Sequence, residues 1–289
     1  MKDFTLEAYH KLLLALRLSG YSFFTFEEWC DGKAKGRYVI LRHDVDLKAE
    51  NSLVTARIEA EMGIRSTYYF RVVSQSNQPE VIKAIAALGH EIGYHYEDLS
   101  LFDGDVVKAM DHFKYYLEYF RRFYPVRTIS MHGKPTSKWD NRDLWETYNY
   151  KDFGVIGEPY LDFMSIKTME VTYFTDTARM WDGSKYNLRD KLTENTDRKA
   201  NKEKPSSQTI TYPLSGNHIT ASLNYHITHS PLPHIHSTND FINWLNTKPS
   251  QNCMMITTHP QRWTNKPGEW IVELVMQSIK NRIKQWFFR

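Results

Sequence analysis

Cysteine is nearly missing from this chain of 289 residues: Cys30 and Cys253 are the only two, and neither belongs to a CxxC pair. That argues against a disulfide framework and leaves two reduced thiols. An excess of one charge sign is missing as well. Thirty-seven basic and thirty-four acidic side chains leave +3, too balanced for a nucleic-acid footprint. No apolar run approaches the roughly 18–20 residues that span a bilayer. Met1-Lys2-Asp3-Phe4 leads into an amphipathic stretch rather than a signal-peptide core. The expectation is therefore a soluble, cytoplasmic protein without a membrane span. No internal repeat or linker divides the sequence, so one domain over 1–289 is expected. Hydrophobic and charged fractions of 41% and 25% are ordinary for a globular chain. What is plentiful is aromatic: eight Trp, eighteen Tyr and fifteen Phe. Such residues build cores and also form platforms on which sugar rings stack.

Periodicity organises the chain into alternating elements. Leu6, Tyr9, Leu13 and Leu16 recur at helical steps, and Gly20 is a plausible stop. Residues 38–41 form a short apolar run with the character of a strand buried on both faces. Residues 47–62 then read as helix, 66–70 as strand, 79–88 as a helix with Pro in its first turn, and 91–94 as a weaker strand. Val106, Met110, Phe113, Leu117 and Phe120 share one helical face, and residues 128–131 follow as a strand. Repeated strand–helix units favour a parallel sheet, open or closed into a barrel. Further strands are expected at 152–157, 170–174, 209–212 and 254–258. A polar loop at about 185–208 interrupts them, its segment 189–204 carrying six basic and four acidic residues. Ile271, Leu274, Val275, Ile279, Ile283 and Trp286 mark a last amphipathic helix.

The chemistry gathers where strands end. The first strand is followed by His43, Asp44 and Asp46; the third runs into His95, then Glu97 and Asp98; the fourth into His132; the last into His259. In parallel α/β folds the carboxyl edge of the sheet is where ligands bind. Four such coincidences on one edge point to a shared site. Asp44 and Asp46 are two apart, so an extended backbone sends both carboxylates the same way. Like charges that close need a cation or a shared proton between them. A divalent ion meets that need, one carboxylate ligating it and the other taking a proton from its water. The bland alternative makes the Asp pair a cap for the helix beginning near Leu47.

Val39-Ile40-Leu41-Arg42-His43-Asp44-Val45-Asp46 resembles the first motif of the polysaccharide deacetylases, carbohydrate esterase family 4, in a divergent branch associated with surface-polysaccharide biosynthesis. Gly89-His90-Glu91-Ile92-Gly93-Tyr94-His95 is similar to the second motif, and Thr257-Thr258-His259-Pro260 with Trp263 to the last. The resemblance runs from about residue 38 to 263. It implies a distorted seven-stranded (β/α) barrel and metal-assisted removal of an N- or O-acyl group from a sugar. By position, Asp44 matches the family's catalytic base, Asp46 its metal-binding aspartate, His95 its first metal-binding histidine, and His259 the histidine that protonates the leaving group. Two departures stand out. Val45 separates aspartates that are usually adjacent, and Leu99 occupies the place of the second metal histidine. His132 and Glu97 are the candidates to replace it, His132 first.

Zinc suits His/Asp ligation with an open position, and iron, cobalt or manganese use similar ligands. A carboxylate behind His259 is expected to hold its ring. Asp176 is the candidate for that role or for the substrate wall, the alternative being a turn-forming Asp. Arg42 is expected to bind a carboxylate, that of Asp98, Asp176 or an acidic sugar, the alternative being a structural ion pair at the barrel mouth, and with His43 it is expected to support substrate or ligands. Trp181 and Trp263 offer either stacking faces or core packing. His226, His229, His234 and His236 surround Pro231 and Pro233 without regular spacing and read as a loop. Two other readings stay open: a hydrolase acting on a non-sugar amide, and a degenerate barrel that binds a saccharide without cleaving it.

Overall fold

The structure is a computed structural model that describes residues 2–134, 136–165, 171–182 and 234–287. The polar loop at about 185–208, the strand expected at 209–212, and His226 and His229 lie outside these residues. The first half contains helix α1 (Leu6–Leu18), strand β1 (Ser22–Phe24), α2 (Phe26–Cys30), β2 (Tyr38–Val45), α3 (Ala49–Glu61) and β3 (Thr67–Phe70). Then come α4 (Pro79–Ala87), β4 (Glu91–Tyr96), α5 (Asp98–Leu101), α6 (Val106–Arg121) and β5 (Ile129–Met131). The remainder contains α7 (Leu144–Thr147), β6 (Val171–Thr175), α8 (Thr238–Asn246), β7 (Cys253–Thr258) and α9 (Pro267–Phe287).

All strand pairings are parallel, in the order β5-β4-β3-β2-β7-β6. β1 and β3 share one edge of β2, β1 pairing with Tyr38, Val39 and Ile40 and β3 with the stretch from Arg42 to Val45. Beyond β5, a bridge from Thr128 to Gly157 prolongs the sheet. Among the described residues β5 and β6 do not pair with each other, so the seven strands form a curled sheet with a gap rather than a closed ring. Side-chain alternation divides β2 between two cores. Tyr38 and Ile40 pack with Tyr69, Phe163 and Met255 inside the curve. Val39 and Leu41 pack outward against Tyr9, Leu13 and Leu16 of α1, with Phe241 of α8 in the same cluster. On the inner face of β4 a Cβ at Gly93 would run into the Tyr69 ring, so only glycine admits that tyrosine.

The differences from the sequence expectation have physical causes. β2 and β4 run beyond the apolar stretches that announced them, to Val45 and Tyr96, because their ladders continue. Arg42 and Asp44 are both buried in β2 and neutralise each other, so charge does not end the strand. α3 starts at Ala49 with the left-handed Lys48 (φ 52°) before it and no side-chain cap, which removes the capping role considered for Asp46. In place of a strand at 152–157, Tyr150–Phe153 is a 3₁₀ turn and only the segment around Gly157 lies along β5. α9 is amphipathic as expected, but it docks by its polar side. Gln277 is buried, Asn281 donates to the Ala178 carbonyl at 3.1 Å and Trp270 to the Asp3 carbonyl at 2.7 Å. Ile271, Val275, Ile279 and Ile283 are each about half exposed. No helix among the described residues is long and apolar enough to cross a membrane.

Candidate metal centre

At the carboxyl edge of the sheet, Asp46, His95 and His132 offer ligand atoms that all lie within 4.8 Å of one another. Asp46 is the first residue past β2, His95 the penultimate residue of β4, and His132 the first past β5. Parallel neighbours in register bring these strand ends together. Asp46 Oδ1 stands 3.6 Å from His95 Nε2 and 3.5 Å from His132 Nε2. The same oxygen is buried and accepts no hydrogen bond. These separations are long for hydrogen bonds. They approach the spacing of about 3.3 Å between two atoms that each sit about 2.0–2.1 Å from one tetrahedral ion. An orphaned carboxylate oxygen facing two imidazole nitrogens therefore fits a divalent cation.

His95 is oriented from behind through a hydrogen bond at Nδ1, whereas His132 has a carboxylate beside its Nδ1 without a formed hydrogen bond. His95 Nδ1 donates to the Ser130 carbonyl at 2.9 Å, leaving the Nε2 lone pair toward Asp46. His132 Nδ1 stands 3.2 Å from Glu97 Oε2, while Arg71 grips Glu97 Oε1 at 2.8 and 2.5 Å. Glu97 thus sits behind His132 rather than in its place, and Leu99 is buried in the outer core. Burial, reinforced by His132, holds the His95 imidazole well below its ordinary range despite the pull of Asp46, a direction that favours the neutral ring a metal ligand needs. Burial alone would raise Glu97, but His132 and Arg71 hold it at about 2. Asp46 is likewise lowered: burial would raise it, but His132 and His259 foremost outweigh that cost.

Two further groups flank the ligand set. Asp44, on the inner face of β2, is gripped by Arg42 through Nε at 2.8 Å and Nη2 at 2.7 Å, so the carboxylate that Arg42 holds is this one and not Asp98 or Asp176. Its Oδ2 stands 3.7 Å from His95 Nε2. Arg42 also donates to the Tyr160 hydroxyl at 3.0 Å. From β7, His259 places Nε2 3.8 Å from Asp46 Oδ2. Behind it, Asp176 Oδ1 lies 2.6 Å from His259 Nδ1, and Asp176 Oδ2 accepts from the His259 backbone N–H and the Trp263 indole. Arg262 donates to Asp176 Oδ1 at 2.6 Å. Burial would raise Asp176, but Arg262 and His259 bring it to about 2.

Other expected site residues lie elsewhere. His43 points to the outer face of β2, where Nε2 meets Glu59 at 2.7 Å and Nδ1 meets the Thr258 hydroxyl at 2.7 Å. Trp181 and Trp263 are 5% and 1% exposed in the outer core, so neither presents a ring face to a sugar. His234 and His236 flank the Asp182 carboxylate at 2.8 and 2.9 Å on the surface, apart from the centre. Arg71, Arg262 and Glu59 support the site or its strands without having carried any sequence signal. Arginines and a helical glutamate are too common to single out before their partners are known. No protein-family model matches this sequence, and no curated protein or solved structure matches it.

Proposed function

We propose that this chain is a metal-dependent hydrolase that removes an N-acetyl or other acyl group from a sugar or polysaccharide precursor. In this reading the curled sheet is a distorted (β/α) barrel of the polysaccharide-deacetylase kind. The observation that carries it is the convergence of Asp46, His95 and His132 on one point, with Asp44 and His259 standing beside the same ligand set. Asp46, His95 and His132 are the ligands, and zinc is the ion that best suits two imidazoles and one carboxylate. When bound, the ion supplies Lewis acidity, polarising an acyl oxygen and acidifying water.

The protein's own groups move the protons. Asp44 takes one from the attacking water, its plane fixed by the two Arg42 hydrogen bonds. The hydroxyl adds to the acyl carbon, the carbon–nitrogen bond breaks, and the proton on His259 Nε2 passes to the departing amine. Such proton transfers contribute about 10²–10⁴-fold each. Asp176 keeps His259 aimed by accepting from Nδ1 and stabilises the imidazolium.

The test joins metal analysis to acetate release. The purified protein, loaded with zinc, is expected to hold one ion per chain and to release acetate from N-acetylated amino sugars faster than from non-sugar amides. Hydrolysis confined to non-sugar amides removes the sugar from the proposal. Failure to hold any divalent ion removes the hydrolase.

A further inference from the structure

A cleft of about 390 Å³ lies beside the metal centre, lined by Ser100, Asp103, Lys134, Thr136, Ser137, Lys138 and Trp139. That volume is in the range of small-ligand sites. Its lining comes from two segments, one that follows Glu97 and one that follows His132. Ser100 sits in α5, and its hydroxyl donates to the carbonyl of Glu97 at 2.9 Å. Lys134 follows His132 by two residues, so its Cα lies within about 7 Å of His132's. Asn141 ties the walls together, accepting from the Ser100 N–H at 2.8 Å and donating to the His132 carbonyl at 2.9 Å.

The lining is rich in donors and poor in acceptors. Neither Lys134 nor Lys138 forms an ion pair among the described residues, and Asp103 is the one carboxylate on the wall. Ser137 and Thr136 add hydroxyls, and the Trp139 indole N–H is buried without an acceptor. The Trp139 ring is held in place: a Cβ at Gly104 would run into it, and Lys138 Nζ lies 4.9 Å from its centroid. Two ammonium groups that form no ion pair, beside hydroxyl donors and one carboxylate, leave an excess of positive charge that suits an oxygen-bearing anion.

We propose that this cleft is a subsite for an oxyanion, a phosphate or carboxylate group. On the reading of the metal centre given above, that anion belongs to the substrate, so the sugar presented for deacylation is phosphorylated or acidic. Anion binding itself does not depend on that reading.

Titration calorimetry on chelator-treated full-length protein removes the metal as a competing anion site. Inorganic pyrophosphate represents a phosphorylated substrate and glucuronate an acidic sugar. Saturable binding of one of them is expected, weakened at least tenfold in Lys134→Gln/Lys138→Gln and weakened by added salt. The anion that binds identifies the source. Zinc uptake by the double variant should equal that of wild type, which shows that the fold and the metal centre survive. Equal affinity in wild type and variant, or no saturable binding of either anion, overturns the subsite. If the anion binds as described but no acyl sugar is hydrolysed, the subsite stands and the hydrolase reading alone fails.

Discussion

Glu97 Oε2 stands 3.2 Å from His132 Nδ1, on the side of the ring opposite the nitrogen that faces Asp46. The two residues considered as alternative third ligands therefore act in series. Glu97 places its charge beside His132 Nδ1, close enough to take its proton as a hydrogen bond once the ring turns onto an ion, and Arg71 fixes Glu97. Outer partners of this kind typically contribute 10–100-fold to metal affinity. Glu97→Gln is expected to weaken zinc by about that factor, whereas His132→Ala should lose the ion almost entirely. Competition against a chromophoric chelator measures both. Equal loss in the two variants would place Glu97 among the ligands instead.

Asp44 lies beside the ligands but is committed to Arg42 by two hydrogen bonds. Asp44→Asn should keep stoichiometric zinc and lose about 10²–10⁴-fold in kcat, the scale of a general base. His95→Ala should lose both metal and turnover. Full activity in Asp44→Asn would remove Asp44 from proton transfer.

The four strand ends that carry His, Asp or Glu were legible because strand periodicity and strand-end position are both local signals. The extent of β2 and β4 was not. Arg42 and Asp44 look like a strand terminator until their mutual pairing is seen, and that pairing needs an extended backbone to form. Asp176 could be reached only by analogy with triad logic, since nothing near Phe174 announces a contact with His259 from a different strand. The place of His43 on the outer face was not legible beside Asp44 on the inner one. Adjacent residues of a strand face opposite sides, so a motif that contains both a ligand neighbour and a core residue looks uniform in sequence. The apolar side of α9 was equally ambiguous, because helical periodicity reveals that one face is apolar but not which side docks.

Behind that opposite face, Glu59 is fully buried and accepts hydrogen bonds from Tyr9, Ser66 and Tyr68, with His43 at 2.7 Å. Burial would raise its carboxyl, but His43 and its other partners hold it at about 2. Glu59→Ala strands a buried histidine and two tyrosines at once. Loss of one partner from such a network costs about 3–5 kcal/mol. Urea denaturation should show a loss of that order. A change under about 1 kcal/mol would mean the network relaxes or admits water.

Glu91 carries the opposite shift, and the sign of its pH dependence follows. The carboxyl is buried in β4, where desolvation lifts it to about 7 even though it accepts from the Thr67 and Thr128 hydroxyls and the Glu27 backbone N–H. Unfolding returns it to its ordinary value of 4.5. Between those values the folded state binds a proton that the unfolded state has released, so stability falls as pH rises through that window. The contribution is fully present below 4.5 and gone above about 7. At about 1.4 kcal/mol per pH unit it amounts to roughly 3–4 kcal/mol at most. Glu91→Gln keeps a donor and an acceptor in the same place but cannot titrate. Chemical denaturation at pH 5 and at pH 8 should therefore show wild type losing more stability across the interval than the variant does. Parallel losses in the two proteins would mean that Glu91 stays ionised in the fold, with the two threonine hydroxyls and the Glu27 N–H sufficient to solvate its charge.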